Sequence, residues 1–496
     1  MKRHRLLALL ALALPPLHAA AMDLATTRAT IDAYIAQPRF AAARWGIAVV
    51  SLDSGRTLYA HDADKLFQPA STAKLYTAAL VLQTLDAGYR IPTRVLGAPP
   101  GRWGRVDGPL VLYGMGDPSL GAIPATADWA DALAGQLAAR GVRRVDGDLV
   151  ADAGYFVGPA IGDGWESSDL LSGFAAPASA LGVDENQWRL TVTPAAHAGE
   201  PARLASDPLP AMHVDNRLLT AAAGSSDDVN LYRAAGSDTL HAFGTIAAGS
   251  PARRFRLAMA DPARVAGAQL LQALRRRGIR VDGELRVTRW PQPPPALPAE
   301  AGVLAEVRSP PLATLLREGL KRSQNLYLQN LLQLAGTRAR AEASTGSAPA
   351  GFRSAEDWGL HALRRLLERI GIAPSAALLG EGTGLSRRDL TTPNALARLL
   401  AFLAADARNV QDMLPVAGVD GTLASRMRGT PAAGNVHAKT GSMTYVSGLA
   451  GYVTSATGEH LAFVILLNDY APPTGRSASA EVDAIAIRLA ELDQRS

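Results

Sequence analysis

Ser71 and Lys74 stand three residues apart in Ser71-Thr72-Ala73-Lys74, the opening of an apolar stretch that runs to about Gly88. On a helix that spacing puts both side chains on one face, one turn apart. A serine hydroxyl is a weak nucleophile, and a neutral, desolvated lysine within hydrogen-bond reach can activate it. The helix N-terminus adds a dipole and backbone N–H groups suited to the negative charge of acyl transfer. Lys439-Thr440-Gly441 offers a cation, a hydroxyl for a carboxylate and a glycine for close backbone approach, on a segment that reads as a strand. Between the two in chain order lies Ser323-Gln324-Asn325, a common tripeptide that gains weight from its place in helix-rich sequence. Three such motifs in this order point to acyl transfer through a serine.

Composition narrows the chemistry further. Of 50 basic residues 45 are Arg and five are Lys, at positions 2, 65, 74, 321 and 439. Only lysine can lose its proton near neutral pH when buried, so a chain that uses Arg by default keeps Lys where deprotonation or a compact ammonium is needed. The chain has no cysteine, which excludes disulfides, thiolate metal sites and a cysteine nucleophile. Its nine histidines form no i, i+4 pair, so no catalytic metal and no cofactor is expected. The formal charge of +5 includes Lys2, Arg3 and Arg5, and the residues beyond 21 carry only +2. No concentrated basic face for nucleic acid follows from that.

The elements that must position these motifs are legible in outline. Residues 1–21 have a basic start, an apolar run from Leu6 to Leu14 and the small-residue site Ala19-Ala20-Ala21, the pattern of a secretory signal peptide. That run is about half the ~20 residues a membrane span needs, and no later segment is long and uncharged enough to span. An exported chain without a transmembrane span is expected. Trp45 to Val50 and Arg56 to His61 read as a hairpin around Asp53-Ser54-Gly55, before the helix that begins at Ser71. Residues 91–298 change to short strands and Gly/Pro/Asp turns, expected as an inserted β-rich region of two subdomains. Within it Gly141–Val150 resembles Gly278–Val287, an internal α–β pair, and Trp290–Pro295 reads as a stiff linker. Leu312 to Leu334, Ala355 to Ile370 and Pro393 to Ala404 carry apolar residues at helical spacing. Asn435–Lys439, Tyr445–Val453 and Leu461–Asn468 read as strands, and Ser479–Leu492 as a closing amphipathic helix. The last strands are expected to join the first hairpin in one sheet. Residues 22–90 and 299–496 then form one discontinuous domain.

With these motifs in hand, the sequence resembles the penicillin-recognising serine enzymes. Among them it is most similar to the class C low-molecular-mass penicillin-binding proteins, the D-alanyl-D-alanine carboxypeptidase/endopeptidase family of the penicillin-binding protein 4 type. The resemblance covers nearly the whole chain after residue 21. Beyond the three motifs it rests on Gly114-Met115-Gly116-Asp117-Pro118, Gly164-Trp165, Gly384-Leu385-Ser386-Arg387 and Gly418-Val419-Asp420-Gly421-Thr422-Leu423. It implies an α/β (α+β) fold: a penicillin-binding, β-lactamase-like domain with an antiparallel sheet flanked by helices, interrupted by a large β-rich insert. It also implies peptidoglycan stem peptides as substrates, β-lactams as covalent inhibitors and a periplasmic location.

The same resemblance implies roles. Ser71 attacks the carbonyl of the penultimate D-Ala, Lys74 is the base, and Ser323 relays the leaving-group proton. Asn325 holds the substrate amide, and Lys439 with Thr440 binds the terminal carboxylate beside Gly441. Backbone N–H groups of Ser71 and Ser442 form the oxyanion hole. Asp169, Arg387 and Met443 match a trio that reads a diaminopimelate side chain, the Asp taking its amine, the Arg its carboxylate and the Met its methylenes. One departure is Glu381-Gly382-Thr383-Gly384, where the family has Asp-Gly-Ser-Gly; the loop is expected to keep its shape. His437, two residues before Lys439, reads as a packed histidine without a catalytic part. A non-catalytic peptidoglycan-binding scaffold and a β-lactamase are the alternatives, the latter disfavoured by the long insert.

Overall fold

The computed structural model describes residues 23–207, 212–343, 351–406 and 408–496. The signal-peptide reading of residues 1–21 lies outside the described residues. A five-stranded sheet runs in the spatial order His437–Met443, Val446–Thr454, His460–Asn468, Arg44–Ser51, Thr57–His61. Every neighbouring pair is antiparallel, so the last strands do join the first hairpin. His460–Asn468 shows how the sheet is covered. Leu461, Phe463, Ile465 and Leu467 share one core with Val482, Ile485 and Leu489 of the helix Ala478–Ala490. Ala462, Val464 and Leu466 join the core that contains Leu75 and Leu396, from the helices Lys74–Thr84 and Pro393–Ala404. Alternation of side chains across a strand buries both faces, which explains an apolar run of this length in an antiparallel sheet.

The segment Leu312–Leu334 is not one helix. It is broken into Leu312–Lys321 and Asn325–Glu342, and Ser323 between them takes a left-handed conformation with φ of 56°. The second helix is buried all round from Asn325 to Gly336, so apolar residues continue past the break and spacing alone reads the two helices as one. No helix among the described residues is long and apolar enough to cross a membrane.

The chain leaves for the β-rich region at Pro92–Gly97 and returns at Gly302–Arg308, and these two strands pair antiparallel with Pro92 opposite Arg308. Just below them Ile91 N donates to Ser309 Oγ and Ser309 N to the Ile91 carbonyl, both at 2.9 Å. The two related segments lie side by side in register: Arg144 opposite Arg280 and Leu149 opposite Leu285, in parallel. A third unit, Arg105-Val106-Asp107-Gly108, stacks on the other flank, with Arg105 opposite Arg144 and Leu110 opposite Leu149. The internal pair is therefore a triplet. Its charges alternate across the strands: Arg105 bridges Asp146, and Arg144 bridges Asp282 at 2.6 Å, while Val106 and Val145 are fully buried.

Candidate active site

Ser71 sits in a 3-10 turn, Ala70–Ala73, that leads directly into the helix Lys74–Thr84. Pro69 before it has helical backbone angles, and it is Ala70 that interrupts the helical run. Ala70 is held at φ of 46°, a conformation that an alanine adopts only when its surroundings impose it. Two glycines do the imposing. A Cβ on Gly441 would fall 2.6 Å from the Pro69 carbonyl, and one on Gly384 would fall 1.9 Å from that of Ala70. Strand His437–Met443 and the loop at 384 thus clamp the turn that carries Ser71.

Lys74 is fully buried, and its Nζ donates to Ser71 Oγ at 2.8 Å, to Asn325 Oδ1 at 2.6 Å and to the Thr383 carbonyl at 2.7 Å. Burial pushes its pKa down to about 7, against the opposing pull of the Glu381 and Asp389 carboxylates. The break at Ser323 turns its hydroxyl toward the sheet, where Lys439 Nζ donates to it at 2.8 Å and to the Thr440 carbonyl at 2.8 Å. Lys439 is also fully buried, and among the described residues no carboxylate pairs with it. Burial, then the neighbouring Lys74 and Arg426 charges, holds its pKa well below the ordinary lysine value. Asn325 Nδ2 donates to the Phe174 carbonyl at 2.7 Å, and Thr440 Oγ1 lies 2.8 Å from Thr422 Oγ1.

The loop that supplies the Thr383 carbonyl is built around Glu381. Its carboxylate is buried and accepts from Thr383 N at 2.8 Å and Leu385 N at 2.9 Å. The longer glutamate side chain makes these bonds from within the loop, so the departure at 381–383 leaves a carbonyl on Lys74. Asp389 lies behind it, its pKa raised well above the usual range by burial and by Glu381.

Residues 27–489 match the D-Ala-D-Ala carboxypeptidase 3 (S13) family. The chain belongs to that family. Among its S13 relatives, the D-alanyl-D-alanine carboxypeptidase of Actinomadura sp. (strain R39) is 36% identical over 479 residues, 94% of this chain and 84% of that protein. D-alanyl-D-alanine carboxypeptidase DacB of Haemophilus influenzae is 27% identical over 435 residues, 86% of this chain and 85% of its own length. The crystal structure of penicillin binding protein 4 (dacB) from Haemophilus influenzae aligns with a TM-score of 0.78 at 25% identity, covering 90% of this chain and 95% of that one. The same protein complexed with a β-lactam aligns with a TM-score of 0.73 at 24% identity.

In this S13 chain the structure bonds Ser71, Lys74 and Asn325 into one group and Ser323 and Lys439 into a second, with Thr440 and Gly441 beside them. Ser442 follows on the same strand and is exposed. Arg387 is not free: its Nε donates to Glu166 Oε1 at 3.0 Å, and its Nη1 to the carbonyl of Thr444, next to Met443, at 3.4 Å. Asp169 lies close enough to feel both, its pKa raised by burial and Glu166 and lowered by Arg387. Glu166, Glu381 and the Thr383 carbonyl escaped the sequence reading. Glu166 is three residues before Asp169, and a balance of charges around Arg387 was the available signal; nothing local marks the other two. His437 Nδ1 lies 3.3 Å from the Gln411 carbonyl and bonds to neither group. His437→Ala is expected to leave the rate of penicillin acylation within about twofold, the scale of substitutions that touch no special feature, measured by stopped-time labelling.

Proposed function

We infer that this S13 chain is a serine-type D-Ala-D-Ala carboxypeptidase, with DD-endopeptidase activity on the same site, acting on peptidoglycan stem peptides through an acyl-enzyme. The carrying observation is the 2.8 Å contact between Lys74 Nζ and Ser71 Oγ at a fully buried lysine. In the neutral form Lys74 has two N–H groups and one lone pair. Asn325 Oδ1 and the Thr383 carbonyl take the two N–H groups, which leaves the lone pair for the Ser71 hydroxyl.

Lys74 removes that proton as Ser71 Oγ bonds to the carbonyl carbon of the penultimate D-Ala. The N–H groups of Ser71 and Ser442 hold the oxyanion. The C–N bond then breaks as the leaving D-Ala amine takes the proton that Ser71 gave to Lys74, relayed through Ser323, which Lys439 contacts, so that Lys74 is neutral again for the attack of water. Water hydrolyses the ester and frees Ser71. Lys439, buried without a carboxylate, gains one when the substrate's terminal carboxylate arrives, with Thr440 as the second donor. Asn325 keeps one N–H for the substrate amide. A β-lactam presents the same acyl bond and is expected to acylate Ser71. The chain is exported to the periplasm after loss of residues 1–21, and residues 91–298 form the insert. Mass spectrometry of purified muropeptides after digestion tests the reading: D-Ala release or cross-link cleavage is expected, and unchanged pentapeptides and cross-links would sink it.

Asp169, Arg387 and Met443 are assigned to the diaminopimelate side chain, with Glu166 holding Arg387 until the substrate carboxylate displaces it. Arg387→Ala is expected to slow turnover of peptides with free diaminopimelate by roughly tenfold or more, the scale of losing a charged hydrogen-bond pair. Turnover of diacetyl-lysyl-D-Ala-D-Ala should barely change. Equal losses on both peptides would assign Arg387 to the scaffold.

A further inference from the structure

Ser323 is a serine in a left-handed conformation at a break between two helices, and its residue type does not favour that geometry. Two backbone bonds close the first helix over it, Ser323 N to the Leu320 carbonyl at 3.3 Å and Gln324 N to that of Gly319 at 2.9 Å. The remaining restraint comes from far along the chain. Glu185 Oε1 accepts from Arg322 Nη1 at 2.7 Å, and its Oε2 accepts from Arg322 Nη2 at 3.0 Å and from Gln324 Nε2 at 2.8 Å. One carboxylate therefore grips both neighbours of Ser323, one of them by a two-pronged guanidinium bond.

Glu185 is itself held in an unusual place. Asp184, Glu185 and Asn186 are three successive left-handed residues, with φ of 53°, 58° and 53°. Asn186 is fully buried and pins the turn: its Oδ1 accepts from Val183 N, its Nδ2 donates to the Pro177 carbonyl, and its own carbonyl accepts from Met259 N. Asp184 is fixed by Leu120 and Gln269. Strain of this kind persists only where the surroundings over-determine it, and here the strained turn presents a single buried carboxylate to the strained serine.

We propose that Glu185 is a positioning residue for the reaction, locking Arg322 and Gln324 so that Ser323 Oγ stays on Lys439 and in line with the leaving group. The proposal rests on the role given to Ser323 above. It also gives residues 91–298 a part in turnover, because the clamp comes from within them.

The test is a double-mutant cycle read by the second-order rate of penicillin acylation, with the melting temperature followed in parallel. Glu185→Ala is expected to slow acylation ten- to a hundredfold, since misplacing a catalytic group by about 1 Å costs up to about 10²-fold. Glu185→Gln keeps the shape, but its one amide oxygen accepts in place of two and its NH2 faces a guanidinium N–H of Arg322, so it is expected to lose rate by a smaller factor, roughly three- to tenfold. In a Ser323→Ala background the Glu185 substitutions should change the rate by less than about twofold, because their target is gone. The same fold-loss in both backgrounds, or no loss from Glu185→Ala in the native one, would overturn the proposal. A Ser323→Ala variant as fast as the native protein would instead overturn the role of Ser323 and take the proposal with it. If Glu185→Ala fails to fold, the Glu185→Gln cycle decides alone, with a loss confined to the Ser323 background as the supporting result.

Discussion

Ser71→Ala is expected to abolish covalent labelling by a penicillin and to lower D-Ala release by about 10⁶-fold, the scale seen when a serine hydrolase loses its nucleophile. Among the described residues Lys74 Nζ bonds no hydroxyl but that of Ser71. Ser323 Oγ is bonded by Lys439 rather than Lys74, and Thr383 meets Lys74 through its carbonyl while its hydroxyl faces Leu385 N. Thr72 points its hydroxyl at the Pro69 carbonyl. Intact-mass analysis followed by peptide mapping reads the result, and an adduct on any serine other than Ser71 would refute the site.

Lys74→Arg is expected to slow acylation by about 10²- to 10⁴-fold, the usual contribution of a positioned general base. Guanidinium keeps the charge and offers no lone pair at accessible pH. The native protein carries a matching signature. With the Lys74 pKa lowered to about 7 by burial, the reactive neutral form is scarce below pH 7 and dominant above it. The acylation rate should therefore rise with pH through about 7 and level off, and the Lys74→Arg variant should lose that inflection. A native rate flat between pH 5.5 and 8.5, or an arginine variant as fast as the native protein, would remove Lys74 from the role of base.

How much of this was readable from residues alone depended on how local each feature is. The pairing of Ser71 with Lys74 was legible because one helical turn carries both, and the closing of the sheet because His460–Asn468 and Arg44–Ser51 are each strongly patterned. The break at Ser323 was not. No glycine or proline marks it, and the force that holds it comes from Glu185, 138 positions away by sequence number. Spacing reports which side of a helix is buried and is blind to such tertiary restraints. The third Arg-Val-Asp-Gly unit was missed for another reason: Pro109 follows it where Asp148 and Glu284 follow the others, and only a short turn precedes it in place of a helix. Around Lys74 the backbone carbonyl of Thr383 is invisible to any motif, since every residue has one. Only Glu381, folding its carboxylate back on the loop's own N–H groups, selects that carbonyl.

The pairing of Pro92–Gly97 with Gly302–Arg308, stitched at its base by Ile91 and Ser309, also bears on how such a chain tolerates change in length. Joining the two ends of a loop costs conformational entropy that grows only as the logarithm of loop length, about 0.6 kcal/mol for each doubling. Here the ends are tied by their own strand pair, so the sheet that carries Lys439 scarcely registers how many residues lie beyond the knot. Material can be added to or lost from the far loops of that excursion with little effect on the catalytic scaffold. The limit is geometric rather than thermodynamic: whatever is rearranged out there must still return one carboxylate to Arg322 and Gln324.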